Sequence, residues 1–234
     1  MKRDNWVSFL PYYLLVLIIG IGIAYAGERS VNAINTQAAT TQTRCFIIDA
    51  GHGGIDGGAT SCTGVLESQL NLEIAVRLND LFRFMGYKTV MIRTTDTSIY
   101  TSGNTIAAQK LSDLKERVRI VNQQEKNILI SLHQNIFSDK RYSGAQVFYS
   151  QTDGSKILAD TVQSALVTVL NPGSRRTAKK GEGIYLLQHI ERPGILIECG
   201  FLSNTEEEAL LRTSAYQKKL SSVIASAIAR GLYT

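Results

Sequence analysis

Short apolar runs alternate along the chain with longer stretches in which apolar residues recur every three or four positions, and this alternation predicts the elements. Arg44 to Ala50 is a β-rich run carrying Cys45, Phe46, Ile47 and Ile48. It closes on Gly51-His52-Gly53-Gly54, as a buried strand ending in a tight loop does. Leu70, Ile74, Leu78, Leu81, Phe82 and Met85 share one helical face that stops at Gly86, and Tyr87 to Arg93 reads as a strand. Leu114 to Val121 has helical spacing, Asn127 to Leu132 and Ala145 to Tyr149 read as strands, and Ile157 to Leu170 is a helix closed by Asn171-Pro172-Gly173. After Pro193, Gly194 to Cys199 is an apolar strand. Tyr216, Leu220, Ile224, Ile228 and Leu232, spaced four apart, define a last helix. Strand and helix taking turns predicts an α/β fold: a single domain with a mainly parallel central sheet flanked by helices, without internal repeats.

The N-terminus breaks the pattern. Lys2 and Arg3 precede an apolar run from Trp6 to Ala26, long enough to span a bilayer, with the basic start on the cytoplasmic side. Ala24-Tyr25-Ala26 supplies a small-x-small cleavage pattern, so a cleaved signal peptide and a retained membrane anchor both fit residues 1–29. Residues 30–43, rich in Asn, Thr, Gln and Ala, read as a flexible linker, and residues 44–234 as the folded domain. The chain is therefore expected to be exported, and either secreted or anchored on the outer side of the membrane.

Composition narrows the partners. A chain of 234 residues, 44% apolar and 19% charged, has the balance of one globular domain. Its formal charge of +5 suits an anionic partner such as a cell-wall polymer or an acidic membrane surface. No zinc finger, RNA-binding signature or aromatic-studded basic ribbon accompanies that charge, so nucleic acid is not expected. Cys45, Cys62 and Cys199 are too few for a disulfide framework and lack metal-ligand spacing, although a single Cys45–Cys62 bridge would close the loop between them. The pairs Arg175-Arg176 and Lys179-Lys180 form a basic loop suited to anionic glycan or peptide carboxylates, or simply to solvent.

The candidate chemistry lies at strand ends, where open α/β sheets gather their ligands. His52 sits just past the first strand, His133 just past Asn127 to Leu132, and Glu67 just before a helix that begins near Ser68. Two histidines and a carboxylate form a usual zinc set that leaves a position for water, and a further carboxylate can take that water's proton. Taken singly, His52 reads as part of a glycine turn, His133 as a hydrogen-bonded core histidine, and Glu67 as a helix-start acid favoured by the dipole. Glu198 resists such a reading, because it lies inside the strand Ile195-Leu196-Ile197-Glu198-Cys199, where a buried charge needs a partner or a metal.

Four ordered segments give the sequence a family resemblance. Ile47 to Gly54, Glu67 with Asn71-Leu72, Ser131 to Asn135, and Ile197 to Asn204 resemble the motifs of the zinc-dependent N-acetylmuramoyl-L-alanine amidases of the autolysin type. Arg93, Asp96, Leu114 and the stretch Arg117 to Asn122 are similar to the family's sequence between a strand and the next helix. The resemblance covers residues 44–234, departing at Gln134, where a small residue is commoner, and at Cys199, where an aliphatic one is. It implies one zinc ion per chain held by His52, Glu67 and His133, with Glu198 as catalytic base. Asn135, in the third of these segments, is a candidate for orienting substrate or a ligand, or equally for a structural hydrogen bond. The implied reaction is hydrolysis of the amide between N-acetylmuramic acid and L-alanine in peptidoglycan. The single short domain behind one hydrophobic segment most resembles the amidases that tailor spore cortex, with an extracytoplasmic accessory protein as an open partner. No autoinhibitory helix after the third ligand is expected, since the interval to Glu198 is filled by ordinary elements. Two rival readings stand beside this one: a cysteine peptidase using Cys199 with His133, and a non-catalytic peptidoglycan-binding protein.

Overall fold

The computed structural model describes residues 21, 22, 25, 26 and 44–231, so the expected export segment and linker lie, those four residues apart, outside the described residues, as does Leu232. Among the described residues no helix is long and apolar enough to cross a membrane.

The strands are β1 (Cys45–Ala50), β2 (Lys88–Met91), β3 (Asn127–Asn135), β4 (Gln146–Tyr149), β5 (Lys179–Lys180) and β6 (Gly194–Phe201). The helices are α1 (Glu67–Phe84), α2 (Ile106–Asn122), α3 (Ser155–Leu170), α4 (Tyr185–His189), α5 (Thr205–Leu211) and α6 (Ser214–Gly231). They form a six-stranded sheet in the order β2-β1-β3-β6-β4-β5. The first four strands are parallel, whereas β4 runs antiparallel to β6 and β5 follows β4.

Because side chains alternate along a strand, each strand serves two cores. Phe46, Ile48, Ile130, Leu132, Ile195 and Ile197 point to one face, under the apolar stripes of α1, α3 and α6. Ile47, Leu129 and Leu196 point to the other, against Val121 of α2 and Leu186 and Leu187 of α4. The stripe predicted for the last helix is borne out: Leu220, Ile224 and Ile228 are fully buried. Phe46 stacks on Phe82 at 4.5 Å between ring centroids, fixing α1 over β1.

Several expectations need correction. Strand β3 runs on to Asn135, so His133 lies inside it rather than past its end, because the ladder to β6 continues through His133 and Glu198. Helix α2 begins at Ile106, where the Thr105 hydroxyl accepts the Ala108 N–H at 3.2 Å and caps it. Lys179-Lys180 is a two-residue edge strand, and only Arg175-Arg176 remain in a loop. All three cysteines are free, so no Cys45–Cys62 bridge forms.

Candidate metal centre and active site

The site is built on the turn that leaves β1. The chain passes through Gly51, where a Cβ would lie 2.2 Å from the His133 ring, into His52, a non-glycine residue at φ 61°. Left-handed backbone costs a residue with a Cβ, and it persists where its surroundings hold it. Two buried arginines do so. Arg93 donates from Nε to the Ala50 carbonyl (2.8 Å) and from Nη2 to the carbonyls of Gly51 (3.1 Å) and Ser68 (2.7 Å). Arg117 donates to the carbonyls of Ala50 (3.1 Å) and His52 (2.9 Å) while pairing with Asp49 and Asp113.

Glu67 opens α1 and is buried. Its Oε1 accepts the Gln134 N–H at 3.0 Å and the Asn71 Nδ2–H at 3.3 Å, and its Oε2 accepts the Ala59 N–H at 2.9 Å. The same two oxygens lie 3.0 Å from His133 Nδ1 and 3.3 Å from His52 Nε2. The structure thus brings His52, Glu67 and His133 together, each offering one ligand atom, all within 4.8 Å of one another. His52 Nδ1 is occupied by Asp56 Oδ2 at 2.8 Å, and Asp56 Oδ1 accepts from Lys110 Nζ at 2.7 Å. A carboxylate on the far nitrogen is the usual device for aiming the near one at a metal.

The electrostatics fit the same use. Burial opposes ionisation of Glu67, yet hydrogen bonds and charge from His133 and His52 hold its carboxyl far below the usual range. Burial likewise opposes protonation of His52, but Glu67 and then Asp56 carry it up to about 9. Protons here do the neutralising that a divalent cation does when it displaces them. Glu198 stands beside His133 in the β3–β6 register, and burial pushes its carboxyl up to about 7, with His133 and His52 lowering it and Glu67 raising it. Its Oε2 is buried without a hydrogen-bond partner. An orphaned carboxylate oxygen beside three convergent donors suits a metal and its water.

The other predicted residues fall as follows. Asn135 ends β3, and its carbonyl accepts the Leu202 N–H at 2.8 Å. Cys199 is fully buried on the face of the sheet opposite Glu198, and burial pushes its thiol far above the ordinary range. A nucleophile needs an accessible thiolate, so the cysteine-peptidase reading loses its residue. Cys199→Ala is expected to keep hydrolysis of peptidoglycan close to the parent rate; loss of turnover in a folded variant would restore that reading. Asp56 and Lys110, which orient His52, carry no pattern of their own in the sequence, and Asp49, Asn71, Arg93 and Arg117 stand out only through the resemblance.

A mainly parallel sheet that brings His52 from the turn after β1, His133 from β3 and Glu67 from the start of α1 together, with Glu198 of β6 as a second carboxylate, is the frame of an α/β hydrolytic enzyme with a metal-type donor set. The chain belongs to the Amidase_3 family, N-acetylmuramoyl-L-alanine amidase, whose profile matches residues 46–230. It is 34% identical over 232 residues to the germination-specific N-acetylmuramoyl-L-alanine amidase of Bacillus subtilis (strain 168), covering 98% of this chain and 95% of that one. Among solved structures it is similar to the CwlD amidase from Clostridioides difficile in complex with the GerS lipoprotein, with 36% identity, a TM-score of 0.77, and 81% and 98% of the two chains covered. An N-acetylmuramoyl-L-alanine amidase from Clostridium difficile 630 is similar at 34% identity and a TM-score of 0.70, covering 82% of this chain and 97% of that one.

Proposed function

We propose that this amidase is a zinc enzyme that acts outside the cytoplasmic membrane on spore cortex peptidoglycan, hydrolysing the bond between N-acetylmuramic acid and L-alanine. The observation that carries the reading is the convergence of His52, Glu67 and His133 within 4.8 Å, with the Glu198 carboxyl beside them, its Oε2 buried without a hydrogen-bond partner. A zinc ion held by those three residues would supply Lewis acidity and lower the pKa of a water towards about 7. Glu198 takes the proton released from water as it adds to the scissile carbonyl and returns it to the leaving alanine nitrogen. Asp56 and Lys110 keep His52 oriented, and Arg93 and Arg117 keep the Gly51–His52 turn in place. Asn135, at the strand end beyond His133, orients substrate.

The export reading of residues 1–29, the linker reading of 30–43 and the assignment of 44–234 as catalytic domain are part of the proposal. They rest on the apolar run and the Ala24-Tyr25-Ala26 pattern. An extracytoplasmic accessory protein is proposed as a partner, supported by the relative crystallised with a lipoprotein. Chelation tests the metal. Purified chain is expected to carry one zinc and to release new L-alanine amino termini from peptidoglycan, activity that chelator abolishes and added zinc restores. Chelator-resistant cleavage by a zinc-free chain would overturn the metal assignment.

A further inference from the structure

Beyond Glu198 the sheet continues to β4, whose first residue, Gln146, pairs in register with Glu198. A cleft of about 620 Å³ opens there, at the same end of the sheet, and its lining includes Asp139, Arg141, Tyr142, Ser143, Asn171 and Arg176. Two of these residues are cations, and they differ. Arg141 is exposed and already paired with Asp139 at 2.7 Å, which cancels its charge. Arg176 is half-buried, and its guanidinium lies 5.3 Å over the ring of Phe201, the last residue of β6. It donates to two neutral acceptors, the Ser143 carbonyl at 3.1 Å and Gln146 Oε1 at 3.4 Å. The carboxylate of Glu207, which shares this corner and feels the Arg176 charge without bonding it, accepts from the N–H groups of Gly144 (2.8 Å) and Phe201 (2.7 Å). Among the described residues, none forms an ion pair with Arg176.

We infer that this cleft is a subsite for a free carboxylate of the stem peptide, with the Arg176 guanidinium as its principal donor. The inference rests on the amidase reading and names a determinant of its substrate preference. A guanidinium has five donors in a planar fork that matches a carboxylate, and Arg176 is held rigidly enough to present those it does not spend. The strand register also places the cleft beside Glu198's neighbour Gln146, within reach of a short peptide. A carboxylate on the stem residue after L-alanine lies roughly 7 Å from the scissile bond, two residues of extended chain. Arg176 bonds the end of the Gln146 side chain, and the Gln146 backbone lies one strand, about 4.8 Å, from Glu198.

The test uses zinc-loaded full chain and two muramoyl peptides that differ only at the residue after L-alanine, one with a free carboxylate and one with the carboxamide. Parent enzyme is expected to favour the carboxylate by about 10- to 100-fold in kcat/KM, mostly through KM. Arg176→Gln should slow only the carboxylate substrate and bring the ratio near one, and Arg176→Lys should recover part of it. A parent ratio near one overturns the subsite whatever the variants do. So does an Arg176→Gln chain that slows both substrates alike, since that is the mark of a structural residue. Failure to cleave either peptide would instead overturn the amidase reading itself.

Discussion

Replacing Glu198 by Gln is expected to lower kcat on peptidoglycan by about 10²- to 10⁴-fold while leaving one zinc per chain and KM little changed. Glutamine keeps the volume and polarity of the side chain, so the strand pairing of Glu198 with Gln146 on one side and His133 on the other survives. What it cannot do is accept and return a proton. Burial pushes the Glu198 carboxyl up to about 7, the range in which a general base both exists in its ionised form and holds a proton well enough to pass it on. The three donors proposed to hold zinc are untouched, so metal content separates loss of chemistry from loss of the site. Turnover near the parent rate, with zinc bound, would remove Glu198 from the mechanism.

The residues that converge at the candidate site were legible because they follow or interrupt apolar runs, and the residues that orient them carry no such signal. His52, Glu67, His133 and Glu198 each follow or interrupt a hydrophobic segment. Arg93 reaches Ala50 across 43 positions and Arg117 reaches His52 across 65, so no local spacing announces either contact. Periodicity gives a strand its faces but not its direction, and β4 was therefore not recognisable as reversed from its own residues. The clue lay in the connection: residues 136–145 between β3 and β4 contain no helix, and a parallel return needs a crossover of a dozen or more residues. The first half of α2 went unread because Ile106 and Leu111 face solvent and leave no apolar stripe. Helices α4 and α5, of five and seven residues, are too short to show a period. The Cys45–Cys62 bridge failed on a length that sequence conceals. Cys45 begins β1 at one end of the sheet, while the neighbours of Cys62, Ser61 and Thr63, bond Glu208 beyond the other end of β6. A six-residue strand is roughly 20 Å long, and a disulfide spans at most about 7 Å between Cα atoms.

Asp49→Asn is expected to cost about 3 kcal/mol of stability, the low end of the range for breaking a buried ion pair by removing one partner. Asp49 is 1% exposed, accepts the Ser131 hydroxyl at 2.6 Å and pairs with the buried Arg117. Asparagine would leave that guanidinium inside the protein with only Asp113, at 2.5 Å, to balance it. For a domain of this size the loss corresponds to a melting temperature lower by roughly 6–12 °C. The pH dependence carries a sign that separates charge from packing. Burial raises the Asp49 carboxyl, but the Arg117 charge, then His133 and the Ser131 hydrogen bond, bring the net shift below its ordinary value. A depressed carboxyl contributes stability above its unfolded pKa of about 3.9 and loses it as pH falls through the folded one. The gap between parent and variant should therefore be constant above about pH 5 and close progressively as pH falls below it. A gap under about 1 kcal/mol at pH 7, or one that does not narrow in acid, would mean that Asp49 acts by shape alone. The same substitution is expected to reach the proposed metal site, because Arg117, which donates to the Ala50 and His52 carbonyls, loses one of its two carboxylate partners. Zinc affinity should fall with stability, by about 10- to 100-fold, as for other residues that orient a ligand without touching the metal.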